Sequence, residues 1–295
     1  MKLASFDIEI AKDLGEDMNN WENFAPLGIT CAAVALSDSE EVKYWYDSPQ
    51  LSKERCIKLV HDLKGLVKDG YSLLTWNGTG FDFHVLAQES GLFEECGELA
   101  LNHIDMMLIV TFERGHYLKL QKALKGAGLE GKLKTGTLSD GTQLTDMEGS
   151  KAPRLWAEGE CEAVLAYLKE DVIQPLKLAG DIQATCSIGW TSNRGKPQAL
   201  TVEKLRTVLE CFKIPEPDVS WMTDPPSREQ FVSWIPNYKA RIPVEAIKRA
   251  ENQNTFQSSN AYNTHSKRQG QELKTTTINL HPKGFIARLI KVLFG

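Results

Sequence analysis

Two carboxylates lie two residues apart in an otherwise apolar segment near the start of the chain, SFDIEI at 5–10. Side chains alternate between the faces of a β-strand, so Asp7 and Glu9 share one face while large apolar residues occupy the other. In the middle of a sheet, both acids would be buried side by side, which is costly unless a divalent cation compensates their charge. The alternative is an edge strand with one face in solvent.

The segments that follow predict an α/β domain with a mixed sheet. Short apolar or β-branched runs bounded by Gly, Pro, Asp or Ser predict strands, and longer runs with apolar residues at helical spacing predict helices. Three strands followed by alternating strands and helices are typical of such a domain. We expect strands at 2–10, 26–36, 41–47, 71–76 and 102–105, and helices at about 51–69, 82–90, 106–113, 117–127 and from 159 past 181.

The composition changes after residue 189, which predicts a domain over 1–189 and a small extension over 190–250 packed on it. Helical patterns at 200–212 and 228–235 are separated by prolines. We therefore expect the extension to be helical.

The C-terminal part of the chain divides into two further segments. Residues 251–280 are rich in Gln, Asn, Ser and Thr, which predicts a disordered linker. Residues 281–295 form a short basic amphipathic pattern, which suits docking to a membrane surface or a partner protein, or packing back on the chain's own domain. The pattern is too short to span a bilayer.

Overall charge and cysteine spacing exclude several classes of protein. A net charge of −5 argues against a protein that grips duplex nucleic acid along its length, since such proteins neutralise phosphates with a basic surplus. Six scattered cysteines without a CxxC pair argue against a zinc ribbon or a disulfide framework. With no predicted signal peptide and no apolar stretch long enough for a transmembrane segment, we expect a cytoplasmic protein.

Two later segments carry acids where α/β proteins place their sites. After the fourth predicted strand, a glycine-containing turn leads to Asp82 at the start of a helix. Strand ends that feed helices commonly form binding sites, although aspartate at this position is also a common helix cap. In the last long helix, Tyr167 and Asp171 are four residues apart and share one face. This spacing is also frequent on half-buried helices without any function.

Taken together, the three segments resemble the motifs of the DEDD exonuclease superfamily, which includes the proofreading domains of DNA polymerases. That family has an acidic pair in its first strand, an Asn…Phe-Asp motif after the fourth and Tyr-x-x-x-Asp on a late helix. The matching residues are Asp7-Ile8-Glu9, Asn77…Phe81-Asp82 and Tyr167…Asp171. The tyrosine indicates the tyrosine subclass, because the histidine subclass would need histidine at Ala166. The match covers about residues 1–185. Within the family, the chain most resembles stand-alone exonucleases related to the proofreading domain of family B polymerases.

The resemblance implies a fold, a cofactor and a reaction. The fold would be RNase H-like, with a mixed five-stranded sheet flanked by helices. Asp7, Glu9, Asp82 and Asp171 would hold two Mg²⁺ or Mn²⁺ ions, and Tyr167 would orient the attacking water. The reaction would be hydrolysis at the 3′ end of single-stranded nucleic acid, with DNA favoured over RNA, releasing nucleoside 5′-monophosphates.

Substrate contacts are expected from the same motifs and from a basic stretch at 114–134. The motif residues are Ile8, Ile10, Asn77 and Phe81, and the basic ones are Lys119 and Lys122. A solvated helix face explains the basic stretch equally well. For Trp21 and Phe24, in the loop after the first motif, stacking on a terminal base is an alternative to the more common core packing. His84 and His103 are interpreted as packing residues, because neither has a partner at metal-ligand spacing.

Two other interpretations stay open. An RNase H-like endonuclease would share the acidic cluster and the two ions but would not need Tyr167. A non-catalytic nucleic-acid-binding module would keep the fold, and would most simply have lost one of the four carboxylates, all of which are present.

Overall fold

The structure is a computed structural model that describes residues 1–131, 135–145 and 147–242. The predicted linker at 251–280 and the amphipathic segment at 281–295 lie outside the described residues. So does 132–134, the end of the basic stretch.

Five strands form one mixed sheet with its most acidic strand in the centre. The strands are β1 (Leu3–Ile10), β2 (Ile29–Leu36), β3 (Val42–Tyr46), β4 (Ser72–Thr75) and β5 (Ile104–Asp105), in the order β3-β2-β1-β4-β5. The β1–β2 and β2–β3 pairs are antiparallel, whereas β4 pairs parallel with β1 and with β5. The predicted mixed five-stranded sheet is confirmed. Because β1 has a neighbour on each side, the edge-strand alternative for its acids is excluded.

Helices cover both faces of the sheet. They are α1 (Lys53–Lys68), α2 (Asp82–Ser90), α3 (Phe93–Asn102), α4 (Met106–Arg114), α5 (Leu120–Gly126), α6 (Ala152–Ala157) and α7 (Cys161–Thr185). The five helices predicted before residue 189 are confirmed, but α3 and α6 were not predicted. Gly97 weakens the helical pattern of α3, and a Cβ there would lie 2.5 Å from Cγ2 of Ile235, so close packing requires this glycine. Among the described residues, no helix is both long and apolar enough to cross a bilayer.

Two hydrophobic cores occupy the two faces, and they explain how α7 reaches the acids of β1. On one face, Phe6 and Ile8 pack in a core that also contains α1. On the other face, β2 presents only small residues opposite Ser5, Asp7 and Glu9, namely Ala35, Ala33 and Cys31. These small residues share a core with α7. Since they leave room above the sheet, α7 lies close to the acidic face of β1.

The chain after residue 189 differs from the predicted helical extension. A hairpin of β8 (Ser187–Thr191) and β9 (Pro197–Thr201) comes first, followed by short helices α8 (Val208–Cys211) and α9 (Tyr238–Arg241) and a 3₁₀ turn at Glu229–Phe231. The helices expected at 200–212 and 228–235 are therefore much shorter. Their apolar residues, such as Val208 and Phe231, instead enter the core shared with α1. Before α6 lie two short strands, β6 (Gly136–Thr137) and β7 (Gln143–Leu144), and a 3₁₀ turn at Gly149–Lys151. A further 3₁₀ segment, Gly15–Phe24, lies between β1 and β2.

Substituting alanine for glycine is expected to have opposite effects on stability at two positions in helices. Gly126 ends α5 against β8, where a Cβ would lie 1.8 Å from the carbonyl oxygen of Gly189. Gly180 lies in α7, where a Cβ would have no neighbour within 4 Å. We expect Gly126→Ala to lower the free energy of unfolding by about 1–3 kcal/mol through overpacking. We expect Gly180→Ala to raise it by about 0.5–1 kcal/mol through helix propensity. Urea denaturation measures both, and changes of the same sign would contradict the described α5–β8 contact.

Candidate metal centre

Three carboxylates from two distant parts of the chain meet on the acidic face of β1. One oxygen each of Asp7, Glu9 and Asp171 lies within 4.8 Å of the others. Oxygen ligands about 2.1 Å from a cation are at most about 4 Å apart across it, so small shifts would let these three atoms hold a single ion. Carboxylate donors suit Mg²⁺, Mn²⁺ and Ca²⁺. The residues present therefore fit a divalent cation.

Burial separates this cluster from an ordinary acidic surface. Glu9 and Asp171 are each 6% exposed, and Asp7 is half-buried. Neighbouring carboxylates with so little access to water disfavour one another's charged forms. A bound cation would remove this repulsion between the carboxylates. A cluster exposed to water would not need a cation for this purpose.

Asp82 reaches the same place from the start of α2. The cap position of α2 is held by Phe81, so Asp82 is the first helical residue and not the cap. Its Oδ1 accepts a hydrogen bond from the backbone N–H of Ile8 at 3.2 Å, and its carboxyl group shares a hydrogen bond with that of Asp7. Burial raises the pKa of Asp82, although these hydrogen bonds oppose the shift. Asp82, the acid of the second motif, is thus held against Asp7 and Ile8 of the first motif.

The turn that carries Asp82 is organised by a buried carboxylate that the sequence analysis missed. Asp105 accepts hydrogen bonds from the N–H of Asn77 (2.9 Å) and from the N–H (3.1 Å) and hydroxyl (2.9 Å) of Thr79. It also caps α4 by accepting from the N–H groups of Met107 and Leu108. One side chain therefore joins the turn before α2 to the start of α4. The available signal was an aspartate between a predicted strand and a predicted helix.

The chain beyond residue 189 braces this turn from outside. Trp234 donates its indole N–H to the carbonyl oxygen of Thr79 at 2.9 Å, and its ring stacks on His84 at 5.0 Å. Phe231 lies 3.2 Å from where a Cβ on Gly80 would stand. No local sequence signal could have revealed these contacts, because they join residues about 150 positions apart.

One cleft gathers most of the residues that the sequence singled out. Its lining includes nine of them: Asp7, Ile8, Glu9, Ile10, Asn77, Phe81, Asp82, Tyr167 and Asp171. It also includes four that the sequence did not single out: Phe6, Trp76, Leu120 and Gly149. Tyr167 is 2% exposed and lies one turn of α7 before Asp171. The i,i+4 spacing on α7 thus directs both side chains into the cleft.

The two predicted lysines are placed differently from the motif residues. Lys119 directly precedes Leu120, the first residue of α5, which lines the cleft. Partial burial and the nearby charge of Lys122 lower the pKa of Lys119. Lys122 donates a hydrogen bond to Oδ1 of Asn193 in the turn between β8 and β9. Lys119 therefore lies beside the cleft, while Lys122 faces the hairpin.

The ring-bearing residues near the site largely pack inside the protein. Trp21 is 2% exposed and meets Phe81 edge-on at 5.3 Å, whereas Phe24 is at the surface. Burial lowers the pKa of His84 to about 4, so this ring is neutral at pH 7. His103 is buried, with one nitrogen 2.8 Å from the hydroxyl of Thr75. The packing roles expected for both histidines are confirmed.

Comparison with known proteins adds no further information: no protein-family model matches the chain, and no curated protein is detectably similar to it.

The cluster predicts metal-dependent stability. At a Mn²⁺ concentration about 100-fold above the dissociation constant, binding to the folded protein would stabilise it by about 2.7 kcal/mol and raise its melting temperature by several degrees. We expect Asp171→Asn to abolish most of this rise without lowering the metal-free melting temperature, since it removes a repelling charge. The matched control is Asp181→Asn, farther along α7 and outside the cluster. An equal Mn²⁺ effect in both variants would contradict a metal centre at Asp171.

Proposed function

We propose that this chain is a metal-dependent 3′→5′ exonuclease of the tyrosine subclass of the DEDD superfamily. It would hydrolyse the terminal phosphodiester at the 3′ end of a single strand, preferably DNA, and release nucleoside 5′-monophosphates. One observation carries the proposal. The motifs of β1, the turn after β4 and α7, separated by up to about 160 residues, contribute to the lining of a single cleft.

The sheet topology supports an RNase H-like fold for the catalytic domain. The central strand β1 is flanked by the antiparallel strands β2 and β3 on one side and by the parallel strands β4 and β5 on the other. Sites in α/β sheets commonly lie at the carboxyl ends of parallel strands. Asp7 and Glu9 lie in the C-terminal half of β1, and Asp82 follows the end of β4. The acids therefore lie near the carboxyl ends of β1 and β4, where sites in α/β sheets commonly form.

The four carboxylates are proposed to hold the divalent cations. Asp7, Glu9 and Asp171 form the close cluster, and Asp82 adds a carboxyl group that contacts Asp7. When bound, such ions supply Lewis-acid stabilisation of charge on phosphate and a lowered pKa for water. The ions would also attract the substrate phosphate to an otherwise acidic site in an acidic chain.

Tyr167 is proposed to position the attacking water. A phenol has a reference pKa of about 10, so it is neutral at pH 7 and a poor general base. Its hydroxyl can instead donate and accept hydrogen bonds. Because the ring is almost fully buried, the orientation of the hydroxyl is set by packing. A group fixed in this way stabilises the transition state without reorganising.

The remaining lining residues suit the terminal nucleotide. Phe81 and Trp76 give the cleft aromatic surface for a base or a sugar, and Ile8 and Ile10 add apolar area. Asn77 offers an amide, whose Oδ1 is buried and has no hydrogen-bond partner among the described residues.

The direction of degradation tests the proposal. With Mn²⁺ and 5′-labelled single-stranded DNA, we expect a ladder of strands shortened one nucleotide at a time. With 3′-labelled DNA, we expect the label to appear at once as a mononucleotide. Matched RNA measures the expected preference for DNA. Internal labelled fragments from both substrates would indicate an endonuclease, and intact strands would indicate a binding module. Asp7→Ala should cleave neither substrate, which excludes a contaminating nuclease.

Substitution of the tyrosine separates the proposed subclass from its rivals. We expect Tyr167→Phe to lower the single-turnover rate on the order of 10²-fold, because it removes one preorganised hydrogen bond. Its Mn²⁺ affinity, measured by calorimetry, should barely change. Asp171→Asn should weaken Mn²⁺ binding and lose nearly all activity.

The control for ring packing is Tyr44→Phe. Tyr44 lies on β3 against the same core as Tyr167 but outside the cleft lining. This variant should cleave like the parent. A Tyr167→Phe variant as fast as Tyr44→Phe would show that the tyrosine is structural.

A further inference from the structure

The β8–β9 hairpin packs along α5, and two contacts define its direction. Gly189 in β8 meets Gly126 at the end of α5. Four residues later, Asn193 accepts a hydrogen bond from Nζ of Lys122. Following β8 towards the tip of the hairpin therefore leads back along α5 towards Leu120, which lines the cleft.

The lengths of the two elements bring the tip close to the cleft. Four residues of strand, from Gly189 to Asn193, cover about 13 Å. The six residues of α5 from Gly126 back to Leu120 cover about 9 Å. The tip is closed by a tight turn in which the N–H of Ser192 donates to the carbonyl oxygen of Lys196 at 2.8 Å. The turn residues thus lie near the end of α5 that borders the cleft.

This region is basic although the chain as a whole is acidic. Arg194 and Lys196 are exposed at the tip, and Lys119 and Lys122 lie on the facing part of α5. The nearby charge of Lys122 lowers the pKa of Lys119, while that of the acidic Glu148 opposes this shift. We name these four residues the tip–α5 surface. Its charge contrasts with the net charge of −5, and Lys119 directly precedes Leu120, which lines the acidic cleft.

We propose that the tip–α5 surface binds the phosphates of a single strand upstream of the 3′ end that occupies the cleft. The proposal rests on the proposed function, because the cleft must hold that 3′ end. Exposed lysine and arginine side chains neutralise backbone phosphates without reading bases, so binding would be independent of sequence. A cleft lined by carboxylates repels the rest of the strand, and the tip–α5 surface would offset that repulsion next to the site.

The test compares binding of a long strand with cleavage of a short one. In Arg194→Ala/Lys196→Ala, we expect the dissociation constant for a long single-stranded DNA, measured by fluorescence anisotropy in EDTA, to rise on the order of tenfold. The slope of log affinity against log salt should fall in magnitude by about 1.4, or about 0.7 for each lost phosphate contact. Hydrolysis of a dinucleotide with Mn²⁺ should be unchanged, since it reaches only the cleft.

The matched control removes the same two charges elsewhere. Arg55 and Lys68 are exposed on α1, which packs on the face of the sheet opposite to α7. Arg55→Ala/Lys68→Ala should bind the long strand like the parent. Equal affinities of the two double variants would overturn the inference, as would an equal loss of dinucleotide hydrolysis and long-strand binding. If the parent cleaved no substrate, the proposed function would fail, while the binding comparison would still decide whether this surface holds a strand.

Discussion

The repulsion between carboxylates in the centre of the sheet is the constraint on which the rest of the structure depends. Asp7 and Glu9 lie on a strand with neighbours on both sides, and α7 adds Asp171 within 4.8 Å. Negative charges at this spacing, largely removed from water, destabilise a fold unless a cation accompanies them. Small residues on β2, which could have been large and apolar, leave the room that brings α7 there. The same small residues are themselves buried in the hydrophobic core that contains α7.

Much of the remaining structure holds the second motif in position. Asp105 holds the turn before Asp82 in place by accepting three hydrogen bonds from it, and Trp234 donates a fourth hydrogen bond to the same turn. Asp82 is in turn fixed by the backbone of Ile8 in the central strand. Buried groups thus fix the position of Asp82 relative to the acids of the central strand. The segment after residue 189 therefore supports the site as well as the core.

The sequence predicted those parts of the fold and site that depend on local pattern. The alternation of β1 placed Asp7 and Glu9 on one face, and the helical spacing of α7 placed Tyr167 and Asp171 in one cleft. Contacts over long separations could not be predicted in this way. The segment at 200–212 had a helical pattern, but packing against the main core divides it between a strand, an irregular stretch and α8. The contact of Lys122 with Asn193 likewise depends on a hairpin that the sequence did not indicate.

The central claim is that the acids of β1 and α7 hold divalent cations. Anomalous diffraction from crystals soaked in Mn²⁺ tests this claim most directly. We expect an anomalous peak about 2.0–2.3 Å from carboxylate oxygens of Asp7, Glu9 and Asp171, with a second peak on the Asp82 side when a nucleoside 5′-monophosphate is present. A map without density at the cluster, in crystals where Mn²⁺ binds elsewhere and the cleft is open to solvent, would contradict it.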